Sequence, residues 1–485
     1  MISTSPSPPC CPPVLGGLFH DPRRLVVGDA PFVGVLDVPG TVQRPPVRLY
    51  YPAELSSFSS SSYSSSRWWR RKVPRRAGYF VNDRLAYFLQ GFAHVSIARH
   101  NSRTHVWILR PLLWLLSYLL PVRYMGIPGT VHVRGMDDAI IVRYAANVIP
   151  PRDSGDGEGG GNNESRRRLV LFSHGLTGTG EENSIFCASL ARRGYVVVSV
   201  HHRDGSSCRA PSHDGSDCIY YEHFPTGEGF DPRRRLRQVH VRVREFLTCR
   251  SWIVGEGGGG DSFAHSYTND NAEHMRVVLD QIRPHLDDGD GTIAAGFSYG
   301  AATAALAATL MPEKFNCVVL LDPWLHIDYT SRGVEFDFPP EAFGSGWPSS
   351  SYASSSSSSF EVISSANDDD ADRGGGGVGL SIPSVFINSS QFCGYEKLYA
   401  ATRRLADRIN NPRVVDDRDD DEKKDDHPPR AEMHVIPNTT HSNFCDIVFW
   451  IPRRLIGKAF GLGDANPYDV YEEILDKTVH FLRRH

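Results

Sequence analysis

Thr292-Ile293-Ala294-Ala295-Gly296-Phe297-Ser298-Tyr299-Gly300-Ala301 is the stretch whose reading decides the fold. Residues 292–295 are short and mostly apolar and follow Asp290-Gly291, which predicts a buried strand. Residues 301–311 are almost all Ala, Leu and Thr, which predicts a helix. Between the two lies a G-x-S-x-G turn. The turn needs glycine at 296 and 300, because a side chain at either would collide with neighbouring backbone, and it forces Ser298 into a strained conformation. Its effect is to lift the Ser298 hydroxyl to the N-terminus of a helix, where negative charge is favoured.

A serine hydroxyl is a weak nucleophile without a base to take its proton and an acid to orient that base. In the chain order Ser, Asp/Glu, His, used by α/β-hydrolases, both partners lie downstream. Asp322 closes the apolar run Asn316-Cys317-Val318-Val319-Leu320-Leu321, at a strand's carboxyl end where catalytic groups of open α/β sheets collect. Asp328 and Asp337, further into the following loop, are rivals for the acid. His441 follows the short strand Met433-His434-Val435-Ile436-Pro437 and the polar turn Asn438-Thr439-Thr440, so it sits on a loop, as a general base should. His434 lies within the strand and is the poorer candidate. Acyl transfer also needs amide donors aimed at a developing oxyanion. The run Leu169-Val170-Leu171-Phe172-Ser173 leads into His174-Gly175-Leu176-Thr177-Gly178, and the expected donors are the backbone N–H groups of Leu176 and Tyr299.

Strand and helix signals alternate along the chain. Residues 169–172 precede a helix at 185–192, residues 195–200 precede one at 232–253, and residues 292–295 precede one at 301–311. Strands at 316–321 and 384–388 and a helix at 398–409 follow. Such alternation predicts a doubly wound, mostly parallel α/β sheet, the α/β-hydrolase fold, as one domain over 31–485 behind a flexible leader at 1–30. Low-complexity inserts near 56–66, 153–164, 255–262, 344–379 and 416–426 interrupt it. They are rich in Ser, Gly or charge, fall between elements, and lack the apolar surface to offset the entropy of ordering.

Several segments then occur in a telling order: Val170-Leu171-Phe172-Ser173-His174-Gly175-Leu176, Gly194-Tyr195-Val196-Val197-Val198, His202-Arg203-Asp204, the Ser298 pentapeptide, Leu321-Asp322-Pro323-Trp324 and His441-Ser442-Asn443-Phe444. With Val47-Arg48-Leu49-Tyr50-Tyr51-Pro52 and Phe386-Ile387-Asn388-Ser389, the chain resembles the platelet-activating-factor acetylhydrolases of the plasma and type II intracellular kind. The resemblance implies a calcium-independent serine esterase of phospholipase A2 type, which cleaves short or oxidised acyl chains from the sn-2 position of glycerophospholipids. It implies Ser298 as nucleophile, Asp322 as acid and His441 as base, with no metal or organic cofactor, and Phe297, Trp324 and Phe444 as substrate contacts. This chain departs from the family pattern of His before the serine, Phe after it and a further Gly. Here these positions are Phe297, Tyr299 and Ala301, which bears on the acyl pocket more than on the reaction. A broad carboxylesterase or lipase, and a non-catalytic lipid-binding protein of the same fold, are the alternatives.

Composition narrows the rest. With 485 residues, 40% hydrophobic, the chain can bury a large core, and its net charge of −4 gives no electrostatic case for nucleic acid. Nine scattered cysteines and a Ser/Pro-rich start without an apolar signal core fit free thiols in a reducing, cytoplasmic setting. The stretch from Val106 to Val122 is strongly apolar but is interrupted by Arg110 and Pro111. It reads either as a helix packed over the site or in the core, or as an interfacial element contacting a membrane or lipid particle peripherally. His201, His202, Cys208, His213 and Cys218 lack the paired spacing of a zinc site and read better as an active-site loop. Arg203-Asp204 suits an ion pair or a substrate contact equally.

Overall fold

A computed structural model describes residues 25–28, 30, 32–53, 79, 84–97, 111–118, 127, 130–132, 168–213, 217–223, 232–256, 278–280, 282–286, 292–329, 334–337, 380–411, 430–450, 461–463 and 465–485. The strands are β1 (Phe32–Val38), β2 (Val47–Ala53), β3 (Thr130–His132), β4 (Leu169–Ser173), β5 (Val196–Val200), β6 (Arg209–Pro211), β7 (Cys218–Tyr220), β8 (Ile293–Phe297), β9 (Cys317–Leu321), β10 (His326–Tyr329), β11 (Val334–Asp337), β12 (Ser384–Ser389) and β13 (Ala431–Ile436). Nine of them form one sheet in the order β13-β12-β9-β8-β4-β5-β2-β1-β3. From β13 to β5 every neighbouring pair is parallel. At the far edge β2 pairs antiparallel to β5 and β1 antiparallel to β2.

Parallel strands are buried on both faces, so they read as unbroken apolar runs whose alternate residues serve two cores. Leu169, Leu171, Val196, Val198, Ala294, Val318 and Leu320 point into one core, together with Val239, Val243 and Phe246 of helix Pro232–Val254 and the alanines of helix Tyr299–Leu310. Val170, Phe172, Val197, Ile293, Ala295, Val319 and Leu321 point into the other, against helices Ser184–Arg192 and Pro467–Arg484. The chain runs from β4 outward to β5 and then returns to place β8 on the other side of β4. That reversal opens a crevice beyond the carboxyl ends of β4 and β8, the position where doubly wound sheets bind ligands.

Two expectations need correction. Leu25, Val26 and Ala30 fall within the expected leader yet are buried, and Leu25 O accepts the Ser189 hydroxyl at 3.0 Å. Their apolar surface covers helix Ser184–Arg192, which the low complexity of the preceding residues conceals. The insert expected at 255–262 begins with structure, since Glu256 pairs with Arg250 at 2.6 Å and with Lys314 at 3.2 Å. The other expected inserts lie outside the described residues, as do residues 106–110 and 119–122 of the apolar stretch. Residues 111–118 form a helix with Leu112, Trp114, Leu115 and Leu116 exposed. Among the described residues no helix is long and apolar enough to cross a membrane.

Candidate active site

Ser298 sits between β8 and helix Tyr299–Leu310 with φ +56° and ψ −120°, a region side chains rarely occupy. Neighbouring backbone holds it there. Its N–H donates to Leu321 O at 2.8 Å, and its carbonyl accepts Trp324 N–H at 3.1 Å. A Cβ on Gly296 would overlap the Gly300 carbonyl, and one on Gly300 would overlap the Ser173 carbonyl of β4, so glycine is required at both.

His441 opens the short 3-10 helix His441–Phe444. That turn is fixed by a reciprocal capping box between Thr440 and Asn443, and by the His441 N–H donating to Gln391 Oε1 at 2.8 Å. Its Nε2 lies 2.9 Å from Ser298 Oγ and its Nδ1 lies 2.9 Å from Asp322 Oδ2. The Phe297 ring stacks on the imidazole with centroids 4.7 Å apart. Asp322, wholly buried at the end of β9 with φ +46°, also accepts Ser389 N–H at 2.5 Å and Ser389 Oγ–H at 2.6 Å. Ser389 thus secures the carboxylate that faces the imidazole, a part sequence reasoning did not assign. Its sequence signals are its place at the end of the strand next to β9 and its membership of the Phe386-Ile387-Asn388-Ser389 segment.

The loop after β4 lies against the nucleophile: a Cβ on Gly175 would stand 3.4 Å from Ser298 Cβ. Within the loop, Thr177 N–H donates to Ser206 O at 2.8 Å and Gly178 N–H to Gly175 O at 3.3 Å. The Leu176 N–H has no partner among the described residues. Tyr299 directly follows Ser298 and is the first residue of its helix. Glu182 closes the same loop, its Oε2 accepting Gly175 N–H at 3.3 Å. Burial pushes its carboxyl up to about 7, against the Gly175 hydrogen bond and the nearby His441 and Arg242, which favour the charged form.

The structure brings Ser298, Asp322 and His441 together; Tyr299 is next in the chain after Ser298, and the loop that carries Leu176 approaches Ser298 through Gly175. The other expected residues fare differently. Trp324 is half-buried with its ring edge-on to Tyr299 at 6.5 Å. Phe297 is buried and packs on the imidazole. Phe444 is only 1% exposed and packs in the core among Ile436, Val448 and Phe449, so it is not a wall of the crevice. It falls one residue past Asn443, whose capping role turns the chain inward there. Asp328 and Asp337 lie on the β10–β11 hairpin, and His434 turns to Glu432 at 3.3 Å.

Arg203 and Asp204 do not pair with each other. Asp204 binds Arg242 at 3.2 Å, and Arg203 lies 3.6 Å from Glu245. His201 bonds Arg209 O at 2.9 Å, His202 bridges Ser173 and Glu245, and Cys218 Sγ accepts from Arg209 at 2.9 Å. Among the described residues no group of three His, Cys, Asp or Glu side chains is arranged to hold a metal ion.

A nucleophile in a strained strand–helix turn at the sheet's switch point, a carboxylate after a later strand and a histidine on a late loop define an α/β-hydrolase with a serine-hydrolase site. Comparison with known proteins narrows that class. Residues 160–329 match the family model described as platelet-activating factor acetylhydrolase, isoform II, a span that holds Ser298, Asp322 and the 174–178 loop but stops short of His441. The chain is similar to the platelet-activating factor acetylhydrolase of Cavia porcellus, at 30% identity over 174 residues. That is 32% of this chain, and the chain spans only about a third (35%) of the relative's length. It is also similar to a putative phospholipase A2 of Schizosaccharomyces pombe, at 20% identity over 66% of this chain and 68% of the relative. Among solved structures, a ferulic acid esterase from Streptomyces cinnamoneus aligns with TM-score 0.46 and 14% identity over 94% of this chain and 89% of its own. The family resemblance drawn from the motifs is thus shown over the segment that carries the nucleophile.

Proposed function

We propose that the chain is a serine esterase of phospholipase A2 type that hydrolyses the sn-2 short-chain or oxidised acyl ester of glycerophospholipids such as platelet-activating factor. The observation that carries this reading is the relay from Ser298 Oγ to His441 Nε2 to Asp322 Oδ2, with both hydrogen bonds at 2.9 Å. His441 takes the Ser298 proton as Oγ attacks the ester carbonyl, while Asp322 holds Nδ1–H. The tetrahedral oxyanion meets the Leu176 and Tyr299 N–H groups. His441 then returns the proton to the departing lyso-lipid alcohol. Water then attacks the acyl carbonyl as His441 takes its proton; the bond from Ser298 Oγ to the acyl carbon breaks, His441 returns the proton to Oγ, and the carboxylic acid is released. The chain's own residues perform every one of these steps.

The matched relatives support the phospholipid as substrate. The exposed Leu112, Trp114, Leu115 and Leu116 support a peripheral lipid contact within the same reading. A reducing, cytoplasmic location belongs to it too, supported by seven described cysteines that are all free. The test is mass spectrometry of products from a mixed phospholipid panel, with wild type and Ser298→Ala. Lyso-lipid and short acid released by wild type alone is the expected result, and hydrolysis of p-nitrophenyl acetate without any lyso-lipid would move the assignment to a broad carboxylesterase. For the lipid contact, vesicle co-sedimentation of a folded Trp114→Asp/Leu115→Asp variant should fall below wild type. Equal sedimentation removes that part.

A further inference from the structure

Arg242 is a cation that the reaction scheme leaves unused. It lies in the middle of helix Pro232–Val254 with its side chain 0% exposed. A buried guanidinium needs a full set of acceptors, and here they form a pattern. Nε is shared between Asp204 Oδ2 (3.2 Å) and Ser206 Oγ (2.8 Å), and the Ser206 hydroxyl donates to Asp204 Oδ1 at 2.6 Å. The other two nitrogens reach the loop beside Ser298: Nη1 donates to His174 O at 2.6 Å and Nη2 to Gly175 O at 3.3 Å. The guanidinium carbon also stands 4.8 Å from the centroid of the Tyr299 ring.

Peptide planarity turns this pattern into an orientation. The described backbone holds no cis bond, and in a trans peptide the carbonyl and the following N–H point in opposite directions. One guanidinium gripping the carbonyls of 174 and 175 therefore directs the amides of Gly175 and Leu176 away from itself. The Gly175 amide meets Glu182 at 3.3 Å on that opposite side. The Leu176 amide, one peptide further on, is left for the crevice. The Gly175 carbonyl is held by two more donors, His174 Nδ1–H at 2.8 Å and Gly178 N–H at 3.3 Å. Burial together with the Arg242 charge keeps His174 neutral well into the acid range, which leaves its Nε2 to accept His202 N–H at 3.2 Å. A cation on that carbonyl also polarises the peptide and strengthens its N–H as a donor.

We propose that Arg242, anchored by Asp204 and Ser206, is the positioning residue of the oxyanion hole, aiming and polarising the Leu176 amide while bracing the Tyr299 side chain. This rests on the acyl-transfer reading above and deepens it. Arg242 touches no reacting atom. Its contribution is transition-state stabilisation delivered through the loop, so its loss should lower kcat and leave KM nearly unchanged.

The test compares an oxygen ester with the matching thionoester, p-nitrophenyl acetate against its C=S analogue. Sulfur is a poor acceptor, so a well-aimed hole discriminates strongly against it, and the rate ratio cancels the amount of folded enzyme. Arg242→Lys keeps the charge but cannot span two carbonyls. It should lose about 10²-fold in kcat, with KM within about threefold and the ester-to-thionoester ratio reduced in parallel. Ser206→Ala leaves the Asp204 ion pair in place and should lose about 3- to 10-fold with the same signature, which keeps the idea testable if the lysine variant does not fold. Variants whose rates fall only as their folded fraction falls, with the ratio unchanged, overturn the proposal. Failure of the acyl-transfer reading looks different, because wild type would then hydrolyse neither ester.

Discussion

Among the described residues, two serine–histidine–carboxylate relays share nearly the same geometry. In one, Ser298 Oγ, His441 and Asp322 are joined at 2.9 and 2.9 Å. In the other, Ser173 Oγ lies 2.8 Å from His202 Nε2, and His202 Nδ1 lies 2.9 Å from Glu245 Oε2. Hydrogen-bond distances alone do not separate them; their surroundings do. The His441 side chain is 41% exposed, whereas that of His202 is 0% exposed. Ser298 occupies a strained turn at a helix start, while Ser173 is the last residue of a regular strand. Burial, reinforced by the Arg242 charge, pushes the His202 imidazole well below its usual range. A ring sealed from substrate and held toward its neutral form is a poor general base. The buried relay therefore fits scaffolding for the loop, and the open one is the candidate chemical site.

The largest expected effect that sharpens this contrast is Ser298→Ala, which should reduce ester hydrolysis by about 10⁶-fold and abolish fluorophosphonate labelling. Labelling that persists at Ser173 would reverse the assignment of the two relays. Next comes Asp322→Asn, expected to lower kcat by about 10⁴-fold with the fold intact, measured by steady-state kinetics beside circular dichroism. A loss below tenfold would mean that Asp322 does not hold the imidazole.

Ser173→Ala should behave in the opposite way. It leaves His202 Nε2 buried without its partner, so denaturant unfolding should show a loss of about 1–3 kcal/mol, with kcat per folded molecule within about threefold of wild type. A catalytic collapse in a stable variant would contradict the scaffolding role.

The smallest effect concerns pH. The Glu182 carboxyl is raised from 4.5 to about 7 in the folded chain, so the native state binds more protons than the unfolded state between those values. Stability from this group is therefore full below 4.5 and is lost as pH rises through about 7. In thermal melts from pH 4 to 8, Glu182→Gln should show a flatter decline across that window, and parallel curves would remove the shift.

Much of the catalytic layer was legible in the chain, because each part leaves a local mark. The glycines at 296 and 300 are imposed by backbone contacts within a few ångströms. Asp322 follows an apolar run that has to be a strand, and the loop bearing His441 is bounded by Asn438 and Thr440. The polar layer behind the site was not legible. Nothing in the sequence separates Arg242 from the other arginines of its helix. Arg203-Asp204 reads as a ready-made pair, yet each side chain finds a partner on helix Pro232–Val254. Phe444 follows His441 closely enough to look like a site residue, and only the turn set by Asn443 sends it into the core.

The sequence by itself determined the strand–turn–helix that strains Ser298, the doubly wound order of elements and the identity of the relay residues, since these follow from side-chain volume, periodicity and backbone sterics over a few residues. Tertiary structure alone decided which histidine is exposed, which serine is sealed and which arginine grips the Gly175 carbonyl. Desolvation and hydrogen-bond partnership depend on segments tens to hundreds of residues apart meeting in space, and no local pattern records that meeting.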